Sequence, residues 1–242
     1  MIRRFISTIL KLIPFESRAK IKHSFNIPNM EWSLMNLKTN GFYPEHILDI
    51  GAYEGEWTKL VKKIWPDSKV LMIEPLSHKS GILSQLCKQY NNSVDYIEAL
   101  LGDVDDQEVY FKINETASSV LSEHFSSAKQ TIKMTTKKLD SIVISGTFEF
   151  IKLDMQGYEM SILKGGEKTV RNTEVILMEI SLIDIHVGVP LIKDVLNQMD
   201  LYDFQLYDIC SFIRRPLDHA LWQIDGIFVR KDSKLISSKR WA

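Results

Sequence analysis

The segment from His46 to Gly55 constrains the fold of this chain most strongly, because it joins an apolar strand pattern to two closely spaced glycines. Apolar residues lead through Asp49 into Gly51, and Gly55 precedes a helix-like segment. This order predicts a buried strand, a tight turn and a helix N-terminus. A glycine lets a ligand approach the main chain, and free N–H groups at a helix N-terminus attract an anionic group. The segment is therefore typical of a site for a nucleotide-like cofactor.

The spacing of the glycines separates two classes of cofactor. A dinucleotide-binding G-x-G-x-x-G turn needs glycines where this chain has Tyr53 and Glu56, so that fingerprint fails twice. The chain instead has D-x-G-x-x-x-G, followed by an apolar strand pattern at 69–73 that ends in Glu74. A carboxylate at the end of the second strand can accept both hydroxyls of a ribose. Together these features resemble motif I and the ribose-binding acid of class I S-adenosylmethionine-dependent methyltransferases.

Strand and helix patterns alternate along the rest of the chain. Helix-like segments at 56–65 and 81–90 separate apolar strand patterns at 47–50, 69–73 and 94–101. Such alternation predicts a parallel sheet covered by helices on both faces. Two further strand patterns, 202–207 and 221–230, would complete the sheet as an antiparallel hairpin. The predicted fold is α/β, a Rossmann-like class I methyltransferase sheet of seven mostly parallel strands with an antiparallel edge, preceded by N-terminal helices.

A second informative segment spans residues 148–159. Its apolar residues predict a strand that ends at Asp154, and Gly157 then turns the chain into a helix that runs to Val170. Another apolar strand pattern, 174–178, leads directly into Glu179. Because parallel strands present their carboxyl ends at one edge of the sheet, Asp154 and Glu179 are expected to lie side by side there.

The same edge is expected to hold the cofactor, since ligands of such sheets collect at the carboxyl ends of the strands. In this fold the end of the third strand lies beside the adenine, which brings in Ala99 and Leu100. The residues predicted to contact the cofactor are Asp49, Gly51, Ala52, Tyr53, Gly55, Glu74, Ala99, Leu100 and Asp154.

An ordered series of motifs across residues 47–180 resembles the FkbM-type methyltransferases. The motifs are ILDIGAYEG at 47–55, IEP at 73–75, ALLGD at 99–103, KLD at 138–140, IKLDMQGYE at 151–159, LKGG at 163–166 and LMEI at 177–180. The resemblance implies S-adenosylmethionine as cofactor and methylation of an oxygen, commonly on a sugar or a natural product. Segments 207–210 and 223–229 are similar to members found with bacterial surface-polysaccharide genes. The family usually has Glu where this chain has Gln156, which removes a charge from the turn.

Methyl transfer to an oxygen is an in-line displacement, and a sugar hydroxyl is a poor nucleophile that needs a base or a metal ion. The candidate catalytic residues are Asp154, Glu179 and His186, although His186 also suits an ordinary surface loop. Some metal-dependent relatives in the superfamily hold a divalent ion with acids at these two strand ends and an oxygen ligand directly after the second acid. Ile180 fills that third position here, so a metal is not favoured and no metal ligand is assigned.

The distribution of charge limits the partners of the chain. The 242 residues include 30 basic and 31 acidic side chains, and this balance argues against a nucleic-acid partner. The basic residues are concentrated at the N-terminus, where residues 2–13 also have an amphipathic helical pattern. This helix would either contact an anionic membrane surface peripherally or pack on the domain. Residues 1–45 are expected to form a helical appendage, and residues 46–242 the S-adenosylmethionine-binding methyltransferase domain.

The compartment is predicted to be the cytoplasm. No apolar run has the length of a membrane-spanning helix, and Lys11 interrupts the apolar part of the N-terminus, unlike a secretory signal. Cys87 and Cys210 are far apart in the sequence, which favours two free thiols in a reducing compartment.

The expected partner is a small-molecule or glycan acceptor, selected by loops at 114–130 and 211–219. Two other classes of protein remain as alternatives. A nicotinamide-dependent reductase could use the same layout, but the glycine spacing counts against it. A non-catalytic module could hold a polysaccharide assembly at the membrane, but the intact set of Asp49, Gly51, Glu74 and Asp154 argues for catalysis.

Overall fold

The structure is a computed structural model that describes residues 14–25, 27–91, 93–113, 118–122, 130–144 and 146–241. Residues 2–13, where the sequence predicts the amphipathic helix, lie outside the described part. So do residues 114–117 and 123–129 of the predicted acceptor loop. No helix in the described part of the chain combines the length and the apolar composition needed to cross a membrane.

The strands of the described residues form a large and a small sheet. The strands are β1 (His46–Ile50), β2 (Lys69–Glu74), β3 (Val94–Glu98), β4 (Leu100–Gly102), β5 (Glu108–Ile113), β6 (Gln130–Lys138), β7 (Phe150–Leu153), β8 (Val175–Ser181), β9 (Phe204–Arg214) and β10 (Leu221–Arg230). The large sheet has seven strands in the order β3-β2-β1-β7-β8-β10-β9, and the small sheet has the order β4-β6-β5.

The large sheet has the predicted architecture. Strands β1, β2, β3, β7 and β8 pair in parallel, whereas β10 is antiparallel to both β8 and β9. Successive side chains of β1, β7 and β8 are buried on opposite faces, because helices cover the sheet on both sides. The seven-stranded, mostly parallel sheet with an antiparallel edge confirms the predicted fold class.

Eight helices lie before and between the strands of the described part of the chain. They are α1 (Phe15–Ser24), α2 (Met30–Thr39), α3 (Glu56–Ile64), α4 (Ser80–Gln89), α5 (Leu139–Ile142), α6 (Glu159–Gly165), α7 (Glu167–Arg171) and α8 (Ile192–Leu201). Short 3₁₀ turns occupy Ser77–Lys79 and Lys234–Ile236.

The described part of the segment 1–45 packs directly on the large sheet. Leu34 and Leu37 of α2 and the following Phe42 are buried in the same apolar cluster as Phe150 of β7. The indole N–H of Trp65 donates to the carbonyl oxygen of Phe42 at 2.9 Å. The second N-terminal helix and the loop after it therefore share the core of the sheet.

The third predicted strand differs from the structure, because its two halves belong to different sheets. The sequence pattern at 94–101 predicts one strand, but β3 ends at Glu98 and β4 begins at Leu100, where it pairs with β6. The carbonyl oxygen of Gly102 approaches α6 so closely that a Cβ on Gly165 would lie 2.0 Å from it. This close backbone approach packs β4 directly against α6.

The helix predicted from Gly157 to Val170 is also divided. It begins at Glu159, and Gly166 separates α6 from α7. A side chain on Gly166 would meet Leu139, with its Cβ only 2.7 Å from Leu139 Cδ2. Gly165 and Gly166 both allow close packing, and both lower the local helix propensity. The helix is therefore interrupted between α6 and α7.

Candidate functional site

The turn after β1 lies against the end of β7. Gly51 has φ 76°, and its N–H and that of Ala52 donate to the carbonyl oxygen of Ile73 at 2.9 and 3.3 Å. A Cβ on Gly51 would lie 2.0 Å from the carbonyl oxygen of Asp154. The two strand ends can meet only because residue 51 has no side chain.

Glu74 ends β2 on the other side of this turn. Its Oε2 accepts a hydrogen bond from the N–H of Tyr53 at 2.8 Å, and its Oε1 accepts one from the N–H of Leu76 at 3.0 Å. Burial raises the pKa of the carboxyl above its usual range, although the two N–H groups oppose the shift. Each oxygen retains a lone pair for a further donor, so the carboxylate can still accept two hydroxyl groups.

A cavity of about 280 Å³ opens between these strand ends. Among the residues predicted to bind the cofactor, its wall includes Gly51, Ala52, Tyr53, Glu74 and Asp154. Further wall residues that the sequence did not single out are Glu54, Trp57, Phe111, Lys152 and Met155. At the rim, the Lys79 ammonium lies 2.6 Å from Glu54 Oε1 and 3.8 Å from the centre of the Tyr53 ring. The buried indole N–H of Trp57 has no hydrogen-bond partner among the described residues.

Lys152 is a residue of the cavity wall that the sequence motifs did not single out. Its Nζ donates to the carbonyl oxygen of Gly51 at 2.9 Å and lies 3.3 Å from Asp49 Oδ1 and 3.4 Å from Asp154 Oδ2. Burial alone would lower its pKa, but the charges of Asp154 and Asp49 outweigh burial and raise the pKa above the usual value. The available signal was a lysine inside the otherwise apolar strand 150–153.

Asp49 lies behind the cavity and supports Lys152. The two residues are direct neighbours in the β1–β7 ladder. Asp49 is fully buried, and its Oδ2 accepts a hydrogen bond from the Thr58 hydroxyl at 2.7 Å. The acid of the first motif therefore contacts α3 and Lys152 in this structure.

A cluster of carboxylates lies beside the cavity, contributed by the residue after β7, the C-terminal half of β8 and the middle of β10. The Nε2 atom of Gln156 donates to Asp154 Oδ1 at 3.2 Å and to Glu179 Oε2 at 3.0 Å. Asp225 of β10 lies directly opposite Glu179 in the antiparallel ladder, and the Ser211 hydroxyl donates to its carboxylate. Sequence reasoning missed Asp225, because no local pattern places one residue opposite another across an antiparallel ladder.

Two carboxylates of this cluster, Glu179 and Asp225, have raised pKa values. Burial, followed by the charges of Asp154, Glu159 and Asp225, raises the pKa of Glu179 well above its usual range. Burial also raises the pKa of Asp225. Both groups therefore hold protons more tightly than carboxylates in water do.

Glu159 shapes the turn that carries Asp154 and Gln156. Its Oε1 accepts hydrogen bonds from the N–H groups of Met155 at 2.8 Å and Gly157 at 3.2 Å. Its complete burial raises its pKa to about 7. The turn also places Gln156 in the left-handed region, with φ 52°.

Residues 118–122, which we term the strap, connect this turn to the small sheet. The Ser119 hydroxyl donates to the carbonyl oxygen of Gln156 at 2.9 Å, and the main chain of Ser119 pairs with Lys112 of β5. At its other end, the carbonyl oxygen of Ser122 accepts from the N–H of Val187 at 2.7 Å. The strap thus joins β5, the turn between β7 and α6, and the loop after β8.

Several predicted site residues lie away from the cavity wall. Gly55 is buried against Leu86, and the side chain of Leu100 packs in the core because its main chain has left the large sheet for β4. Ala99 is partly buried between β3 and β4. His186 is only 3% exposed, in the loop that contacts the strap, so it is not the surface residue that the alternative interpretation expected. The roles assigned to these residues stay predictions.

The described residues contain no group of three or more His, Cys, Asp or Glu side chains that could hold a metal ion. Both cysteines are free thiols, and Cys210 is buried.

The sheet order and the cavity at the ends of β1, β2 and β7 define the class I methyltransferase fold. Residues 49–206, more than half of the chain, match the methyltransferase FkbM domain. The chain therefore belongs to the FkbM family of S-adenosylmethionine-dependent methyltransferases. None of the curated proteins matches this chain.

Similar solved structures include three methyltransferases. Methyltransferase FkbM from Methylobacillus flagellatus KT is 18% identical, with 75% of this chain and 43% of that chain covered and a TM-score of 0.48. N-methyltransferase NodS from Bradyrhizobium japonicum WM9 is 10% identical, with 83% and 93% covered and a TM-score of 0.47. A putative O-methyltransferase from Klebsiella pneumoniae is 13% identical, with 90% of each chain covered and a TM-score of 0.48. The match spans less than half the length of the Methylobacillus protein.

Proposed function

We propose that this protein is an O-methyltransferase that uses S-adenosylmethionine and acts on a hydroxyl of a sugar, a polysaccharide precursor or a related natural product. The observation that carries the proposal is the position of Glu179. This half-buried carboxylate has a raised pKa and is joined through Gln156 to Asp154 on the cavity wall. A hydroxyl acceptor must lose a proton during methyl transfer, and a carboxylate with a raised pKa is suited to receive it.

The cavity fits the cofactor in three respects. Gly51 exposes main chain where a Cβ could not be accommodated, Glu74 has two oxygens able to accept the ribose hydroxyls, and Trp57 presents a buried indole N–H that needs an acceptor. We propose that these three residues hold the cofactor, with Ala52, Tyr53 and Asp154. When bound, S-adenosylmethionine supplies an electrophilic methyl group on a sulfonium sulfur.

The residues around the acceptor have distinct proposed roles. Lys152 fixes the carbonyl oxygen of Gly51 and the carboxylate of Asp154, and so holds the wall on which the two reactants must be aligned. Oε2 of Glu179 accepts from Gln156, which leaves Oε1 to take the proton from the acceptor hydroxyl. His186, a buried side chain in the loop that contacts the strap, stays a second candidate for the base.

Calorimetric titration with S-adenosylhomocysteine tests the cofactor assignment. We expect micromolar binding by the wild type, no binding of NADH, and a dissociation constant raised at least about tenfold by Glu74→Ala, because two charge-assisted hydrogen bonds are lost. Glu108→Ala, at an exposed position on β5, is the matched control and should leave the constant unchanged. Binding of NADH in place of S-adenosylhomocysteine would favour a reductase instead.

Transfer of a labelled methyl group to a panel of glycans tests the reaction. Glu179→Gln keeps the shape of the side chain and removes its basicity, so we expect turnover to fall by about 10²- to 10⁴-fold with cofactor affinity unchanged. Full turnover in this variant would exclude Glu179 as the base. Cofactor binding without turnover on any glycan would favour the non-catalytic module.

A further inference from the structure

Gln156 lies between two carboxylates of the proposed catalytic centre. Its Nε2 is 3.2 Å from Asp154 Oδ1 and 3.0 Å from Glu179 Oε2. The amide directs its nitrogen towards these two oxygens, so its two hydrogens serve two different carboxyl groups. One neutral side chain thereby bridges two acids.

This bridge occupies the position that a shared divalent cation would need. A hard cation held by the two acids would have to coordinate oxygens of both carboxylates at once. The positive end of the Gln156 amide already lies between Asp154 Oδ1 and Glu179 Oε2, and the Lys152 ammonium lies 3.4 Å from the other oxygen of Asp154. The two acids are thus partnered by an amide and an ammonium.

The main chain around Gln156 is held from several sides. Its carbonyl oxygen accepts from the Ser119 hydroxyl, and the N–H groups of both neighbouring residues donate to Glu159. A Cβ on Gly157 would lie 2.7 Å from Val189 Cγ2, so the next residue is confined as well. These contacts fix the turn from which the amide reaches the two carboxylates.

We propose that Gln156 takes the place of a divalent metal ion in this site, so that methyl transfer proceeds without one. The amide acts as a positioning residue that holds Glu179 and Asp154 together by two hydrogen bonds. A glutamate at position 156 would put a third carboxylate within reach of the other two, and such a group needs a cation or a shared proton to offset its charge. The inference rests on the proposed function, and it makes residue 156 the position that decides metal dependence.

Titration of the purified full chain with Mn²⁺, followed by electron paramagnetic resonance of the free ion, tests this inference. We expect no saturable Mn²⁺ binding by the wild type and at least tenfold tighter binding by Gln156→Glu. Gln205→Glu adds the same charge at an exposed position of β9 and is the matched control, which should behave like the wild type. Adding Glu179→Gln to Gln156→Glu should abolish the new binding, which would locate the ion at this cluster.

Two results would overturn the inference. One is saturable Mn²⁺ binding by the wild type that is lost in Glu179→Gln. The other is Mn²⁺ binding by Gln156→Glu that is no tighter than binding by Gln205→Glu. If repulsion prevents Gln156→Glu from folding, Gln156→Ala vacates the same position without adding charge and should bind Mn²⁺ more tightly than the wild type. Equal binding by that variant and the wild type would then overturn it. Calorimetry with S-adenosylhomocysteine on the same samples distinguishes failure of this inference from failure of the proposed function. If the proposed function is wrong, the wild type will not bind the cofactor.

Discussion

At the scale of single residues, Gly51 is the position where the site is most sensitive to added volume. Its φ of 76° is unfavourable for other residues, and the space that a Cβ would fill is taken by the carbonyl oxygen of Asp154. That neighbour is main chain directly after the β1–β7 ladder, where the Asp154 N–H donates to the carbonyl oxygen of Ile50, so no side-chain rotation can relieve the contact. The residue therefore affects both the cavity and the separation of the two strand ends.

Gly51→Ala should weaken S-adenosylhomocysteine binding at least about tenfold and lower the free energy of unfolding by about 1–3 kcal/mol. Gly146→Ala is the matched control, because Gly146 also has a positive φ, 107°, but nothing lies within 4 Å of its Cβ position. Calorimetry and urea unfolding of both variants measure the difference. If the two variants lose equal stability and both retain cofactor affinity, the close approach to Asp154 has no functional role.

At the scale of elements, the turn between β7 and α6 depends on a buried acid. Glu159, the first residue of α6, accepts from the N–H groups of Met155 and Gly157 and so closes the turn that precedes its own helix. Burial raises its pKa from an ordinary 4.5 to about 7. The folded protein therefore binds more protons than the unfolded chain between these values, and stability must fall as the pH rises through this window.

Glu159→Gln keeps an oxygen that can accept both N–H groups but cannot ionise. Between about pH 5 and pH 8, the wild type should lose on the order of 2 kcal/mol more unfolding free energy than this variant does. Glu56→Gln, at an exposed position of α3, serves as the control and should retain the pH dependence of the wild type. Urea unfolding at a series of pH values gives the comparison, and parallel curves for wild type and Glu159→Gln would contradict the assigned shift.

At the scale of the whole molecule, helix α2, the loop after it and the sheet share one core. Leu37 is fully buried in the cluster that includes Phe42 and Phe150, and the ring of Phe150 makes edge contacts with Phe42, Trp57 and Trp65. Phe42 precedes β1 and Phe150 belongs to β7. Trp57 lies in α3, and Trp65 directly follows that helix. We therefore expect them to unfold together in one transition.

Leu37→Ala should lower the free energy of unfolding by about 2–5 kcal/mol and leave a single transition, because it opens a cavity inside the shared core. Leu201→Ala, at a position that is 70% exposed on α8, should change it by less than about 0.5 kcal/mol. Denaturant unfolding followed by both fluorescence and circular dichroism measures the effect. An unchanged main transition with a separate early one would show instead that the N-terminal segment is an independent appendage.

The parts of the fold that could be predicted from the sequence are those encoded in short segments. The strand pattern that leads into Asp49 and Gly51, and the acid that ends β2, are local features, and parallel strands bring such ends to one edge by geometry. The break at Ala99 could not be predicted, because β4 pairs with β6, whose paired residues are more than 30 positions away in the sequence. The strand pattern at 94–101 carries no sign of that pairing.

By itself, the sequence determined the class of sheet, the strand ends that carry the site and the family, since each follows from hydrophobic periodicity and short motifs. Only the tertiary structure decided what the polar side chains do. Lys152 meets Asp49, and Glu179 meets Asp225, through pairing between strands far apart in the chain, and Gln156 bridges two acids from different strands. Hydrogen bonds and ion pairs act over a few ångströms, so their partners are set by the register of the assembled sheet and not by separation along the sequence.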